Sequence, residues 1–163
     1  MPSQQFGSSV LLVILTSLIH GAGTLVIFWT LFRSRMFAVS HFGPVLNAGR
    51  LTLVVVGLLA VHLAEAFCWA GFYFYKECFA DFNTSLYFSM ITYTTVGYGD
   101  VVLHDRNWRL LAGVEALTGS LMLCWSTVIL VQLITKIYQQ RREIWEGEES
   151  LARGRIHHPD HVR

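Results

Sequence analysis

The chain has 163 residues, 53% of them hydrophobic and only 14% charged, with a formal net charge of +1. A soluble domain carries roughly 25% charged residues, so much of this chain meets a solvent other than water. A balance this close to zero also excludes a nucleic-acid partner, which would select a basic face.

Residues 1–9 are short and polar, and they are expected outside the membrane. Val10 to Phe32 then runs apolar, with His20 as its one titratable residue. It lacks the basic start of a signal peptide, exceeds the 7–15 apolar residues of such a segment, and meets Arg33 without a small-residue cleavage site. It is therefore read as a retained membrane helix over 10–32. Residues 33–50 hold Arg33, Arg35 and Arg50 and form the first connection. Leu51 to Tyr75 is the second apolar stretch and contains His62 and Glu65. The third, placed at 109–138, contains Glu115 and, near its end, Lys136. Each exceeds the roughly 20 residues that cross a bilayer as a helix. The fold class expected is an all-α membrane protein with three transmembrane helices.

Positive residues collect on the cytoplasmic side. Arg33, Arg35 and Arg50 before the second helix, and Arg141 and Arg142 after the third, place the N-terminus outside and the C-terminus inside. Lys76 to Arg109 then faces the exterior. Asp81, Asn83, Thr84 and Ser85 are candidate helix caps there, and the apolar run after them is too short to span. A re-entrant helix over 84–94 is expected. Such backbone survives at membrane depth only against protein or a water-filled cavity. Residues 139–163 form a polar tail in which 139–151 can extend the third helix, with disorder expected beyond Gly154. His157, His158, Asp160 and His161 cluster near its end, with a solvated His-rich end preferred over a metal site.

The sequence Thr92-Tyr93-Thr94-Thr95-Val96-Gly97-Tyr98-Gly99-Asp100 follows the short helix directly. A dehydrated potassium ion needs a cage of oxygens in place of its water. Backbone carbonyls supply one if successive groups point to one axis, which demands unusual backbone angles. Gly97 and Gly99 adopt such angles without a Cβ penalty. Val96 and Tyr98 turn their side chains outward, and the Thr95 hydroxyl adds a lower oxygen. One chain gives one wall, so four must converge. The C-terminal end of the short helix carries partial negative charge and favours a cation below.

In this context the Thr-Val-Gly-Tyr-Gly-Asp run resembles the potassium-channel pore family. The resemblance covers roughly 51–138: outer helix 51–75, pore helix 84–94, filter 95–99 and inner helix 109–138. The helix at 10–32 is additional, and small three-helix prokaryotic-type channels are similar. The resemblance implies a homotetramer that passes K+, with Thr95, Val96, Gly97, Tyr98 and Gly99 coordinating the ion and no organic cofactor. It also implies a gating hinge at Gly119, although a small residue there equally suits close helix packing. Many relatives brace the filter with a tryptophan pair and an acid in the pore helix. Here Tyr87-Phe88 and Ile91 stand in those places, so Tyr87, Thr92, Thr94 and water are the available supports for Asp100 and Tyr98.

Helix phase places Ser126, Thr127 and Leu130 at the cavity below the filter, and 134–138 at an intracellular constriction. An acid at mid-membrane costs about 2.5–3.5 kcal/mol on insertion scales, so Glu65 and Glu115 need partners. His62 and Glu65 share a helix face, and a polar cluster of His62, Glu65 and Glu115 is a candidate link between outer and inner helices. His20 reads as a packed, hydrogen-bonded residue. His62, Glu65 and Cys68 do not match the His-Glu-x-x-His spacing of zinc proteases, and no enzyme is expected. Of the three cysteines, Cys68 and Cys124 fall in apolar stretches, and Cys78 lies outside, where an intersubunit disulfide is an option. No helix repeats Arg or Lys at every third position, so no voltage sensor is expected. Lys136, Arg141 and Arg142 sit at the depth of anionic lipid head groups.

Overall fold

The computed structural model describes residues 2–33 and 44–156. Arg35 and the tail cluster of His157, His158, Asp160 and His161 lie outside the described residues. Four α-helices run in chain order: α1 Pro2–Arg33, α2 Pro44–Tyr75, α3 Phe82–Tyr93 and α4 Arg109–Ile156, with a short 3-10 turn at Arg106–Trp108 before α4. No strand occurs among the described residues. Three of the helices are long and apolar enough to cross a membrane, over Gln5–Leu31, Ala48–Tyr75 and Arg106–Leu151.

The helices overrun the apolar stretches that specify them. The polar start at 2–9 is already helical, and so is the tail to Ile156, where disorder was expected just beyond Gly154. At about 1.5 Å per residue, the 48-residue α4 is about 72 Å long, more than twice a bilayer core of about 30 Å. Its polar end carries two exposed pairs four residues apart, Arg142–Glu146 at 2.8 Å and Arg153–Glu149. Exposed pairs of this kind contribute only about 0.3–0.5 kcal/mol each.

Packing joins the helices in two layers. Leu12, Trp69, Tyr73, Phe88, Tyr93, Leu103, Leu111 and Met122 form one buried cluster that seats α3 among α1, α2 and α4. Phe88 meets the Tyr73 ring edge-on at 5.2 Å and Phe79 at 4.9 Å. The aromatic residue that cannot hydrogen-bond thus anchors the short helix by its faces and edges. A second cluster of Leu31, Val54 and Leu58 joins α1 to α2, with Leu130 and Leu133 of α4 against it. Small residues let α1 and α2 approach closely, as in membrane helix pairs generally: a Cβ on Gly23 would stand 2.4 Å from Val61, and one on Gly57 would stand 3.2 Å from Ile27.

This packing corrects the helix phase expected for α4. Ser126 is buried and Leu130 packs on the α1–α2 cluster, so both face the outer helices rather than a central cavity. Thr127 is exposed, with its hydroxyl turned back to the Leu123 carbonyl. Cys68, Cys78 and Cys124 are free thiols. Burial pushes the Cys78 thiol up, which leaves little thiolate for exchange at neutral pH.

Candidate pore site and the polar core behind it

The short helix α3 starts two residues before the expected position. Asp81 is its cap: one carboxylate oxygen accepts from the Thr84 amide at 2.8 Å and the other from the Thr84 hydroxyl at 2.7 Å. These bonds hold the Asp81 carboxyl below its usual range. The charge stands where the helix dipole favours an anion.

At its other end α3 unwinds into a tight, hydrogen-bonded turn. The Thr94 amide donates to Met90 O, the Thr95 amide to Thr92 O at 2.9 Å, and the Gly97 amide to Ile91 O at 3.0 Å. Positive φ then recurs at every second residue: Thr95 at 62°, Gly97 at 53° and Gly99 at 79°. Positive and negative φ thus alternate through this turn. The two glycines were legible from the sequence. Thr95 was not, because a β-branched residue rarely takes this angle and holds it at a cost of about 1–3 kcal/mol. Its amide bond to Thr92 O helps hold it there.

Residues 94–100 are exposed in the single chain. Beyond them, the Tyr87 hydroxyl donates to Asp100 Oδ2 at 2.7 Å. That bond holds the Asp100 carboxyl below its ordinary value of 3.8. A carboxyl depressed in the folded chain contributes stability above its unfolded value and loses it as pH falls through the folded one. The Tyr87–Asp100 strut is therefore complete at neutral pH and fails only in strong acid. Tyr87→Phe removes it at an exposed position, so thermal stability should stay within about 0.5 kcal/mol while ionic current decays faster. An unchanged decay would mean that the strut does not brace this turn.

Behind this turn lies a polar core. His20 of α1 places Nδ1 3.0 Å from Glu65 Oε1 of α2. His62 Nδ1 lies 3.2 Å from Glu65 Oε2 and 3.2 Å from the Tyr93 hydroxyl, while its Nε2 lies 2.9 Å from Ser126 Oγ on α4. Tyr93 also donates to Glu65 Oε2. Three helices thus meet at one carboxylate, and His62 extends the network to α4. The expected pair of His62 and Glu65 is present, joined by three residues that sequence reasoning did not place there. The signal for His20 was available, since a titratable residue in a membrane helix demands a partner.

Glu115 belongs to a different group. It accepts from the Tyr73 hydroxyl at 2.7 Å and from Ser89 Oγ at 2.5 Å, and Ser89 also reaches Ala66 O at 2.9 Å. The candidate cluster of His62, Glu65 and Glu115 therefore divides in two, with no hydrogen bond between Glu115 and the other two among the described residues. Glu115→Ala leaves the buried Tyr73 hydroxyl without its acceptor, at about 1–3 kcal/mol, while Ser89 keeps its bond to Ala66 O. A melting temperature well below that of Glu115→Gln, measured in the same detergent, is the expected outcome; equal values would mean that the acceptor contributes little.

Gly119 lies between these groups. A Cβ built there would stand 2.0 Å from Tyr93 O and 2.9 Å from the Tyr93 ring. Close approach to the end of α3 is thus a demonstrated demand on this position.

A re-entrant helix between two spanning helices, ending in a turn of alternating handedness, defines the architecture of a channel pore. Residues 59–136, from mid-α2 into α4, match the family profile described as ion channel. The relatives are potassium channels. The chain is 37% identical over 83 residues to the TWiK family of potassium channels protein 18 of Caenorhabditis elegans, which covers 50% of this chain and 17% of that protein. It is 29% identical over 94 residues to the potassium voltage-gated channel protein Shal of Drosophila melanogaster, covering 53% of this chain and 16% of that one. The chain thus spans about a sixth of the length of these curated relatives. No solved structure matches it.

Proposed function

We propose that four copies of this chain form a potassium-selective pore through the cell membrane. The observation that carries the reading is the recurrence of positive φ at Thr95, Gly97 and Gly99, directly after a helix whose C-terminal end favours a cation. In this reading Thr95, Val96, Gly97, Tyr98 and Gly99 offer their carbonyls to K+, and Thr92, Thr94, Tyr87 and Asp100 support them. Val96 is 51% exposed and Tyr98 74% exposed in the single chain. Neighbouring copies would cover both side chains, which favours assembly around the turn. The N-terminus is outside and the C-terminus cytoplasmic, following the placement of arginines. No described helix repeats Arg or Lys at every third position, so this stretch opens without a voltage sensor of that kind.

Reconstitution into lipid bilayers under opposed potassium and sodium gradients tests the reading. The reversal potential should follow the potassium gradient. Equal passage of sodium, or a protein that stays monomeric in lipid, would overturn it. Anionic lipids are proposed partners at Lys136, Arg141 and Arg142. Arg142 is also paired with Glu146 at 2.8 Å. Neutralising all three residues should reduce the response of conductance to anionic lipid, and an unchanged response would count against this site.

A further inference from the structure

We infer that the polar core behind the filter turn is a binding site for a divalent transition-metal ion such as Zn2+, formed by His20, His62 and Glu65. The ligand atoms of His20, His62 and Glu65 lie within 4.8 Å of one another. A tetrahedral ion with bonds of about 2.0–2.2 Å places neighbouring donor atoms about 3.3–3.6 Å apart. Separations of 3.0 Å for His20–Glu65 and 3.2 Å for His62–Glu65 need to open by only a few tenths of an ångström.

The partner atoms suit this use. Ser126 Oγ sits 2.9 Å from His62 Nε2. With Nε2–H donated to Ser126, the Nδ1 lone pair on the Glu65 side is available to a cation. Fixing a ligand histidine through its far nitrogen is the usual outer-shell device of metal sites.

Glu65 supplies a carboxylate and the histidines two neutral imidazoles, a donor set that zinc accepts, with water completing the tetrahedron. His20 and Glu65 have fully buried side chains, and His62 is 12% exposed, so entry is on the His62 side. The ion would tie α1 to α2 beside the end of α3.

The test uses the full chain in lipid nanodiscs, with His157, His158 and His161 changed to alanine to remove competing tail ligands. After equilibration with micromolar Zn2+ and removal of free metal, mass spectrometry should find about one Zn2+ per chain. His20→Gln and Glu65→Gln should each weaken binding at least about tenfold, and Ser126→Ala, a milder change, by about 10–100-fold. Absence of retained Zn2+ in the parent protein overturns the site. Binding that is unchanged in Ser126→Ala and in whichever ligand variants fold does the same. Metal content is read without ion flux, so failure here leaves the pore reading intact, and failure of the pore reading leaves this site intact.

Discussion

Gly119→Ala is expected to abolish conduction by destroying the packing of the pore region. The added Cβ would lie 2.0 Å from Tyr93 O and 2.8 Å from Tyr93 C, both backbone atoms that have no rotamer to escape into. Tyr93 cannot retreat freely, because its hydroxyl is bonded to Glu65 and approaches His62 at 3.2 Å. Overpacking of a tight core commonly costs about 1–3 kcal/mol, and the contact here involves main chain on both sides. The variant should therefore yield little folded protein and a lowered melting temperature in detergent. A gating hinge at Gly119 makes a different forecast: normal folding with altered opening. A Gly119→Ala protein that melts like the parent and conducts with changed open probability would sink the packing argument and favour the hinge.

The second large effect separates conformation from space. Gly99 has a φ of 79°, yet nothing lies within 4 Å of a Cβ added there. Gly99→Ala therefore meets strain without a clash. A left-handed angle costs an ordinary L-residue roughly 1–2 kcal/mol. If the chain relaxes toward negative φ instead, the carbonyl direction changes. The variant should fold and assemble as the parent does but lose discrimination between potassium and sodium by about tenfold or more, equivalent to about 1.4 kcal/mol. Reversal potentials under paired gradients measure this. Unaltered selectivity in a folded Gly99→Ala channel would mean that backbone angle at this position does not set ion preference.

The membrane helices and the short helix were legible because apolar length and turn chemistry are local properties. Asp81 was among the expected caps, and Gly97 and Gly99 were expected at left-handed angles. What escaped was mostly partnership across the chain. His20 lies 45 residues from Glu65, and nothing in the spacing of α1 indicates which face of α2 it meets. Glu115 was grouped with Glu65 because both are acids in apolar helices. It turns instead to Tyr73 and Ser89, whose hydroxyls look unremarkable within apolar and polar runs. Ser126 and Leu130 were assigned to the wrong side of α4 because a helix that is apolar nearly all round gives no phase of its own. The angle of Thr95 went unforeseen for another reason: local preference rejects it, and the surrounding bonds impose it.

The bond from His20 to Glu65 bears on how this protein can be shortened. The matched family segment begins at residue 59, which invites treating α1 as dispensable. Yet α1 supplies an imidazole to a carboxylate that is wholly inaccessible. A two-helix excerpt would expose that carboxylate to lipid and strip it of one partner, at a cost of several kcal/mol for a group of this kind. Minimal versions of the pore should accordingly change Glu65 along with the deletion. The leading helix is tied into the packing behind the turn that follows α3, and trimming it without that second change would be an amputation rather than an abbreviation.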